Sequence, residues 1–404
     1  MAIPQTAPLD VSVVIPCLNE VEAVGHCVRE ARAALDRSGY GGEVVVVDNG
    51  STDGSGQAAR AAGARVVEEG RPGYGSAYLA GFAAARGRYI VMGDADRTYD
   101  FGDIPRFVEQ LEEGADFVVG SRLRGPMEPG AMPWLHRRLG NPVLTAILNL
   151  FFRTGLSDTH CGMRAFRREH LEVLDLRTTG MEFASEQIIR ASKAGLQFSE
   201  FPIPYRRRAG RSKLSSFQDG WRHLRLLLAH SPKWAFVVPG AALITLGLAI
   251  SAVVIGDVSL FGRTWEFHAL AAGALLTIAG SQVLQIGLFA RVFAARYFGE
   301  PDPGVARVRV EQGLLVGAIL TLAGLGVCAF VVGSWLTSGL GTLGYEHLSV
   351  VGVVLVVLGI QIFFGSLFVS VLELGGAHVR PGSAEKTQPA AVRSSVSAAE
   401  ETTV

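Results

Sequence analysis

Asp94 and Asp96 stand one residue apart at the end of a short apolar run, Tyr89 to Gly93, so two carboxylates leave a predicted strand together. Hard oxygen donors placed this way suit Mg²⁺ or Mn²⁺, which take a few carboxylates and complete their shell with the oxygens of a bound diphosphate. A cation held by such a pair would act as a Lewis acid and offset the negative charge of the diphosphate it binds. Other polar groups close further apolar runs. Val11 to Pro16 leads into Cys17-Leu18-Asn19-Glu20, and Glu43 to Asp48 leads into Asn49-Gly50-Ser51-Thr52-Asp53-Gly54. Asp48 is placed to accept hydrogen bonds from a base or a ribose, whereas Asp53 reads equally as a helix cap or a ligand contact.

These residues need a scaffold, and the spacing supplies one. A helix-forming stretch, Val21 to Arg37, joins the first two apolar runs into a β-α-β unit. Helix-like and strand-like segments then alternate: Gly54 to Ala62, Ala64 to Glu68, Gly75 to Arg86, Tyr89 to Gly93, and the strand Asp116 to Gly120. The pattern predicts an α/β, Rossmann-like domain with a mainly parallel, doubly covered sheet and ligands at the carboxyl ends of its strands. A dinucleotide-binding oxidoreductase is excluded at the first turn, where Cys17-Leu18-Asn19-Glu20 stands in place of Gly-x-Gly-x-x-Gly. Thirty-seven basic and 37 acidic side chains give no global field for nucleic acid. Cys17, Cys27, Cys161 and Cys328 have no metal-ligand spacing and read as reduced or buried thiols.

Beyond Lys233 the solvent changes. Four long uncharged runs, 234–255, 268–290, 314–335 and 348–372, are each of membrane-spanning length. They predict a C-terminal four-helix transmembrane domain over 233–374, followed by a disordered tail at 375–404. Residues 1–10 form an N-terminal tail without the features of a secretory signal. Arg291, Arg296, Arg307 and Arg309 fall in the loop between the second and third spans, and only Arg263 falls in the opposite loops. This bias predicts a multi-pass cell-membrane protein with the N-terminal domain and both termini in the cytoplasm. Two pieces with basic rims, 134–153 and the amphipathic helix at 215–232, read as interfacial or as core-packing helices; Phe217, Trp221, Leu224 and Leu228 share one face of the second. The spans themselves are open to roles as an anchor, a lipid-presenting platform or a surface for homo-oligomer assembly.

In order along 11–214, the segments IPCLNE, VVDNGSTDG, RPGYGSAY, GDAD and GSR resemble family 2 glycosyltransferases of the GT-A fold. DTHCGMRAFRR, YRRRAGRSKL and the spans that follow are most similar to the polyprenyl-phosphate sugar synthases, dolichol-phosphate mannose synthase among them. The resemblance implies a nucleotide-sugar donor, a polyprenyl-phosphate acceptor and inversion at the anomeric carbon. It assigns Pro16, Asn19, Glu20, Asp48 and Asp94 to the nucleotide sugar, Asp94 and Asp96 to Mg²⁺ or Mn²⁺, and Arg122 to the vicinity of the phosphates. Arg208, Ser212 and Lys213 would receive the lipid phosphate, although a basic run before a span also suits anionic lipid heads. The acidic motif departs from the usual continuation, Leu-Gln, by carrying Arg97-Thr98.

A lipid phosphate is largely dianionic at neutral pH, with a second pKa near ~6, and needs little general-base help. A hydroxyl acceptor would need a carboxylate, for which Asp158, Glu182 and Glu186 are the candidates. A processive polysaccharide synthase is disfavoured because its Gln-x-x-Arg-Trp motif is missing; Gln218-Asp219-Gly220-Trp221-Arg222 has another order. A non-catalytic scaffold or lipid-sugar translocation protein is disfavoured by the intact Asp94 and Asp96 and by spans nearly free of ionisable residues.

Overall fold

The structure, a computed structural model of the 404-residue chain, describes residues 9–210, 216–259, 262, 264–297, 310–340 and 345–376. It comprises two compact units that divide between Ser231 and Pro232. The first holds strands β1 (Val11–Cys17), β2 (Gly42–Asp48), β3 (Arg65–Glu68), β4 (Tyr89–Met92), β5 (Phe117–Ser121), β6 (Arg164–Arg167) and β7 (Phe198–Pro202). Its helices are α1 (Val21–Ser38), α2 (Ser55–Ala61), α3 (Tyr74–Ala84), α4 (Ile104–Glu112), α5 (Asn141–Phe152), α6 (Leu171–Leu174), α7 (Phe183–Lys193) and α8 (Ser216–His230).

The strands make one seven-stranded sheet in the order β3-β2-β1-β4-β6-β5-β7. Val13, Val14 and Ile15 of β1, Val44 to Val47 of β2 and Ile90 to Met92 of β4 are buried, as continuous apolar runs in a sheet covered on both faces should be. α1 covers the sheet with Val24, Cys27, Val28, Ala31 and Leu35, one stripe at helical spacing, and ends at Gly39 in the left-handed conformation. Parallel register sets Cys17 beside Asp48 and Val14 beside Met92, so the ends of β1, β2 and β4 open on the same side.

The GT-A fold implied by the motifs is present, with one antiparallel strand inside it. β6 runs against both β4 and β5. Neither β6 nor β7 stands out in the sequence, because β6 reads Arg-Ala-Phe-Arg and only its surroundings make it a buried strand. Arg164, fully buried, donates from Nε to the Cys161 carbonyl at 2.7 Å, from Nη2 to the Thr159 carbonyl at 2.8 Å, and from Nη1 to the Ala184 carbonyl and Gln187 Oε1. A charged side chain that satisfies its donors this way loses the signature by which a core strand is recognised.

α8 belongs to the first unit and packs through His223 and Leu227. Trp221 is 57% exposed while Leu224 and Leu228 are half-buried, and the Phe217 side chain lies outside the described residues. α5 buries Thr145 and Leu148, while Trp134, Leu135, Leu139, Val143 and Leu150 remain exposed.

The second unit holds α9 (Val238–Ile255), α10 (Phe267–Tyr297), α11 (Val310–Thr337) and α12 (Glu346–Gly376). Among the described residues, four stretches are long and apolar enough to cross a membrane: Lys233–Ile255, Phe267–Phe293, Val310–Thr337 and Glu346–Leu372. The unit repeats one hairpin. Gly240 and Gly247 of α9 face Gly280 and Gly273 of α10, and Gly317 and Gly324 of α11 face Gly359 and Gly352 of α12 in the same way. A Cβ on any of these glycines would approach the facing glycine's carbonyl oxygen to between 2.5 and 3.3 Å, so the helices touch by backbone. Gln282 of α10 and Gln361 of α12, each two residues past a facing glycine, hydrogen-bond to one another at 2.9 Å. Phe289 and Phe368, two turns further on, meet at 4.8 Å. Like-to-like contact of corresponding residues indicates that the two hairpins pack about a local pseudo-twofold axis.

Candidate active site

Asp94 and Asp96 leave the end of β4 on a tight turn whose conformation is held by Asp96 itself. Its Oδ1 accepts from the Thr98 backbone N–H at 3.0 Å and from the Thr98 hydroxyl at 2.6 Å, while Arg97 adopts φ of 67°. The Thr98 hydroxyl, where related enzymes carry a glutamine, therefore directs its proton to Asp96 and fixes the carboxylate. Asp94 accepts from the Tyr74 hydroxyl at 2.9 Å. Its other oxygen faces Gly162, where a Cβ would fall 2.9 Å from Asp94 Oδ2 and 3.0 Å from the Tyr99 hydroxyl. Burial, and then the neighbouring Asp96, push the Asp94 carboxyl up to about 7.

At the end of β1, Asn19 sits in the left-handed region, φ 49°, and its Oδ1 accepts from the Thr52 N–H at 2.8 Å. Asp48 accepts from the Ser51 N–H at 2.9 Å, and its other oxygen crowds Gly56 so closely that a Cβ there would lie 2.6 Å away. Asp53 is a cap. Its carboxylate accepts from Val21 N–H at the start of α1 and from Ser55 N–H at the start of α2, tying the two strand ends together. Pro16 is in β1 beside Val47.

Residues 206–209 cross over the Asp94–Thr98 turn. Arg206 N–H donates to the Thr98 carbonyl at 2.9 Å and Ala209 N–H to the Asp96 carbonyl at 3.0 Å. Arg206 also pairs with Glu30 and Asp100. Arg208 pairs with Glu20, and with Asp96 Oδ2 at 3.2 Å. The structure thus unites Glu20, Asp96 and Arg208, which lie far apart in sequence. Ser212 and Lys213 lie outside the described residues, as do residues 1–8, the tail from 377, Arg263, Arg307, Arg309 and the Arg296 side chain.

Arg122 and Asp158 form a buried bidentate pair, Nε to Oδ2 at 2.7 Å and Nη2 to Oδ1 at 2.8 Å, with the Arg122 backbone N–H also on Asp158. The guanidinium lies 5.3 Å from the Tyr205 ring centre. Asp158 begins a wall, residues 158–162, in which Arg164 holds the Thr159 and Cys161 carbonyls and the Tyr99 hydroxyl accepts from Gly162 N–H at 2.7 Å. Glu186 is buried and accepts from the Arg177 and Thr178 N–H groups and the Thr178 hydroxyl.

Sequence comparison decides the family. The chain is 41% identical over 366 residues to the low-salt glycan biosynthesis hexosyltransferase Agl6 of Haloferax volcanii, covering 89% of this chain and 88% of that protein. Residues 12–175 match Glycosyl transferase family 2, and 296–373 match the glycosyltransferase family 2 C-terminal transmembrane region. The chain is a family 2 glycosyltransferase.

A dolichyl-phosphate hexose transferase of the same organism is 36% identical over 212 residues, covering 52% of the transferase and 89% of that relative. Among solved structures, the glucosyl-3-phosphoglycerate synthase of Mycobacterium tuberculosis in complex with Mn²⁺, uridine diphosphate and glucosyl-3-phosphoglycerate is 24% identical, at a TM-score of 0.46 over 56% of the transferase and 81% of that chain. Tyr74, Tyr99, Gly162 and Arg164 of the transferase were not singled out in the sequence. They stand inside the RPGYGSAY and DTHCGMRAFRR segments and just past GDAD, and their roles come from contacts that only the fold creates.

Proposed function

We propose that the transferase moves a hexose from a UDP- or GDP-linked donor to a polyprenyl phosphate, with inversion, at the cytoplasmic face of the cell membrane. The observation that carries this reading is the Asp94–Asp96 pair at the end of β4, flanked by Asn19 and Asp48 on neighbouring strand ends and crossed by the Arg206–Arg208 segment. Pro16, Asn19, Glu20 and Asp48 would hold the nucleotide, with Asp94 toward the diphosphate and Arg122 as a fixed cation near it. Arg208, Ser212 and Lys213 would receive the acceptor phosphate. The relative named for dolichyl-phosphate hexose transfer supports a lipid phosphate, and the four apolar helices support a site beside a membrane.

The carboxylates fit a divalent cation. Among the described residues no group of three or more acidic, histidine or cysteine side chains is arranged to hold a metal ion by itself, so the protein would supply Asp94 and Asp96 and leave the remaining positions to diphosphate oxygens and water. Mg²⁺ or Mn²⁺ bound there would offset charge on the departing diphosphate. Burial, and then the Asp96 charge, raise the Asp94 carboxyl, and a cation bound between the two carboxylates would offset both effects.

That shift has a sign. The folded metal-free chain retains the Asp94 proton up to about 7, whereas the unfolded chain releases it near the ordinary carboxylate value. The group's contribution to stability is complete below that ordinary value and is lost as pH rises toward about 7. A cation must displace the same proton. Calorimetric titration with Mn²⁺ should show affinity weakening by up to about tenfold per unit below roughly pH 7 and levelling off above it, with a shallower slope in Asp94→Asn. An affinity equally steep in the variant would contradict the assignment.

The carboxylates also bear on the acceptor. Asp158 is committed to Arg122 and Glu186 to the 177–178 backbone, which removes two of the bases a hydroxyl acceptor would require. Glu182 remains, with Oε2 buried and without a hydrogen-bond partner. Glu182→Gln should therefore keep kcat within about threefold if the acceptor is a phosphate, and lose about 10²-fold or more if it is a hydroxyl. Steady-state transfer to polyprenyl phosphate measures the difference.

A further inference from the structure

His223 of α8 is buried, and its Nδ1 lies 2.8 Å from the Ser185 hydroxyl of α7. The same hydroxyl lies 3.2 Å from Nε2 of His160, whose Nδ1 is 3.1 Å from the Thr159 hydroxyl. The two imidazoles meet edge to face, 4.8 Å apart. Ser185 has a single hydroxyl proton, so it donates to one ring and accepts an N–H from the other, and the chain of bonds is made with neutral rings. Burial, then His223, Arg164 and Arg122, hold His160 well below its ordinary value, in keeping with that state.

His160 occupies the middle of the 158–162 wall. One end of the wall is Asp158, which fixes Arg122; the other is Gly162, packed against Asp94. The covalent route from the relay to the Asp94–Asp96 carboxylates is the wall itself, since His160 lies two residues from both Asp158 and Gly162. α8 in turn ends at His230, three residues before the first membrane-spanning stretch begins at Lys233.

We infer that His223 is a positioning residue for glycosyl transfer: through Ser185 and His160 it sets the 158–162 wall, so that the catalytic geometry depends on α8 being seated on the first unit. The inference rests on the chain being a glycosyltransferase and not on which acceptor it uses. An error of about 1 Å in such a wall is enough to change rate by about 10²-fold without changing substrate binding.

The test uses the full chain in lipid nanodiscs, with donor kinetics and hydrogen–deuterium exchange measured on the same samples. His223→Ala should lower kcat by about 10- to 100-fold with donor KM rising by less than kcat falls, because Asn19 and Asp48 are untouched and only the wall beside Arg122 and Asp94 is loosened. Exchange at residues 158–162 should accelerate while that of β1 and α3 stays as in the wild type. Ser185→Ala should reproduce both effects, and the double variant should be no worse than the more affected single one. His223→Asn, which keeps a polar atom near the Nδ1 position, should recover most of the rate. Wild-type kcat and exchange in His223→Ala, additive losses in the double variant, or an Asn variant no better than Ala would each overturn the inference. If the wild type itself transfers no sugar, the assay and not the relay is at fault, and the exchange pattern alone then decides.

Discussion

Asp96→Asn should lower kcat by roughly 10³-fold, within the range seen when one preorganised electrostatic group is removed from an active site, and should leave the fold intact. The amide keeps an oxygen able to accept from the Thr98 N–H and hydroxyl, so the turn survives. What it loses is the charge that pairs with Arg208 and that the proposed cation would share. Removing that charge also relieves Asp94, whose carboxyl should fall from about 7 toward its ordinary value. Transfer rates at saturating donor, read beside circular dichroism, check the result. A variant retaining a tenth or more of wild-type kcat would mean that Asp96 is a structural turn residue only.

The second large effect concerns stability. Asp158→Asn should destabilise the first unit by about 3–5 kcal/mol, because it strands a buried guanidinium against a neutral amide. The two side chains are 9% and 0% exposed, so solvent does little to screen the loss. Replacing both members, as Arg122→Met with Asp158→Leu, should recover much of the stability and none of the activity. Denaturation followed by circular dichroism gives the first quantity and donor kinetics the second. If the double variant were as unstable as Asp158→Asn, the penalty would lie in packing; if it were active, Arg122 would have no place near the phosphates.

The parts of the fold legible in the sequence are those in which local chemistry and tertiary role agree. β1, β2 and β4 read as apolar runs because they are buried on both faces, and their polar ends read as site residues because a parallel sheet opens its ligand face there. The four spans read from length alone. β6 did not, since Arg164 is concealed by carbonyls that other segments bring to it. The site divides the same way. Asp94, Asp96 and Asp48 are visible as motifs and Arg208 through the YRRRAGRSKL resemblance, but that Arg208 pairs with Glu20 and Asp96 emerges only when the chain returns over the β4 turn. Asp53, ambiguous in sequence, is a cap because two helices begin beside it. Asp158 and Glu186, eligible as bases by residue type, are occupied, Asp158 by Arg122 far back in the sequence and Glu186 by the Arg177 and Thr178 groups just before its own helix. The hairpin repeat was readable in principle, as GAALITLG against GAILTLAG, but its meaning comes from the Gln282–Gln361 contact.

The most direct test of the proposed reaction is incorporation of radiolabelled sugar into organic-extractable lipid. Purified full-length protein would be given polyprenyl phosphate, Mn²⁺ or Mg²⁺, and a panel of UDP- and GDP-sugars, with Asp96→Asn as the control. The account predicts labelled, metal-dependent lipid from one donor, absent in the variant and absent when the free polyprenol replaces its phosphate. Label appearing with polyprenol, or in polymer that does not extract into solvent, would contradict it.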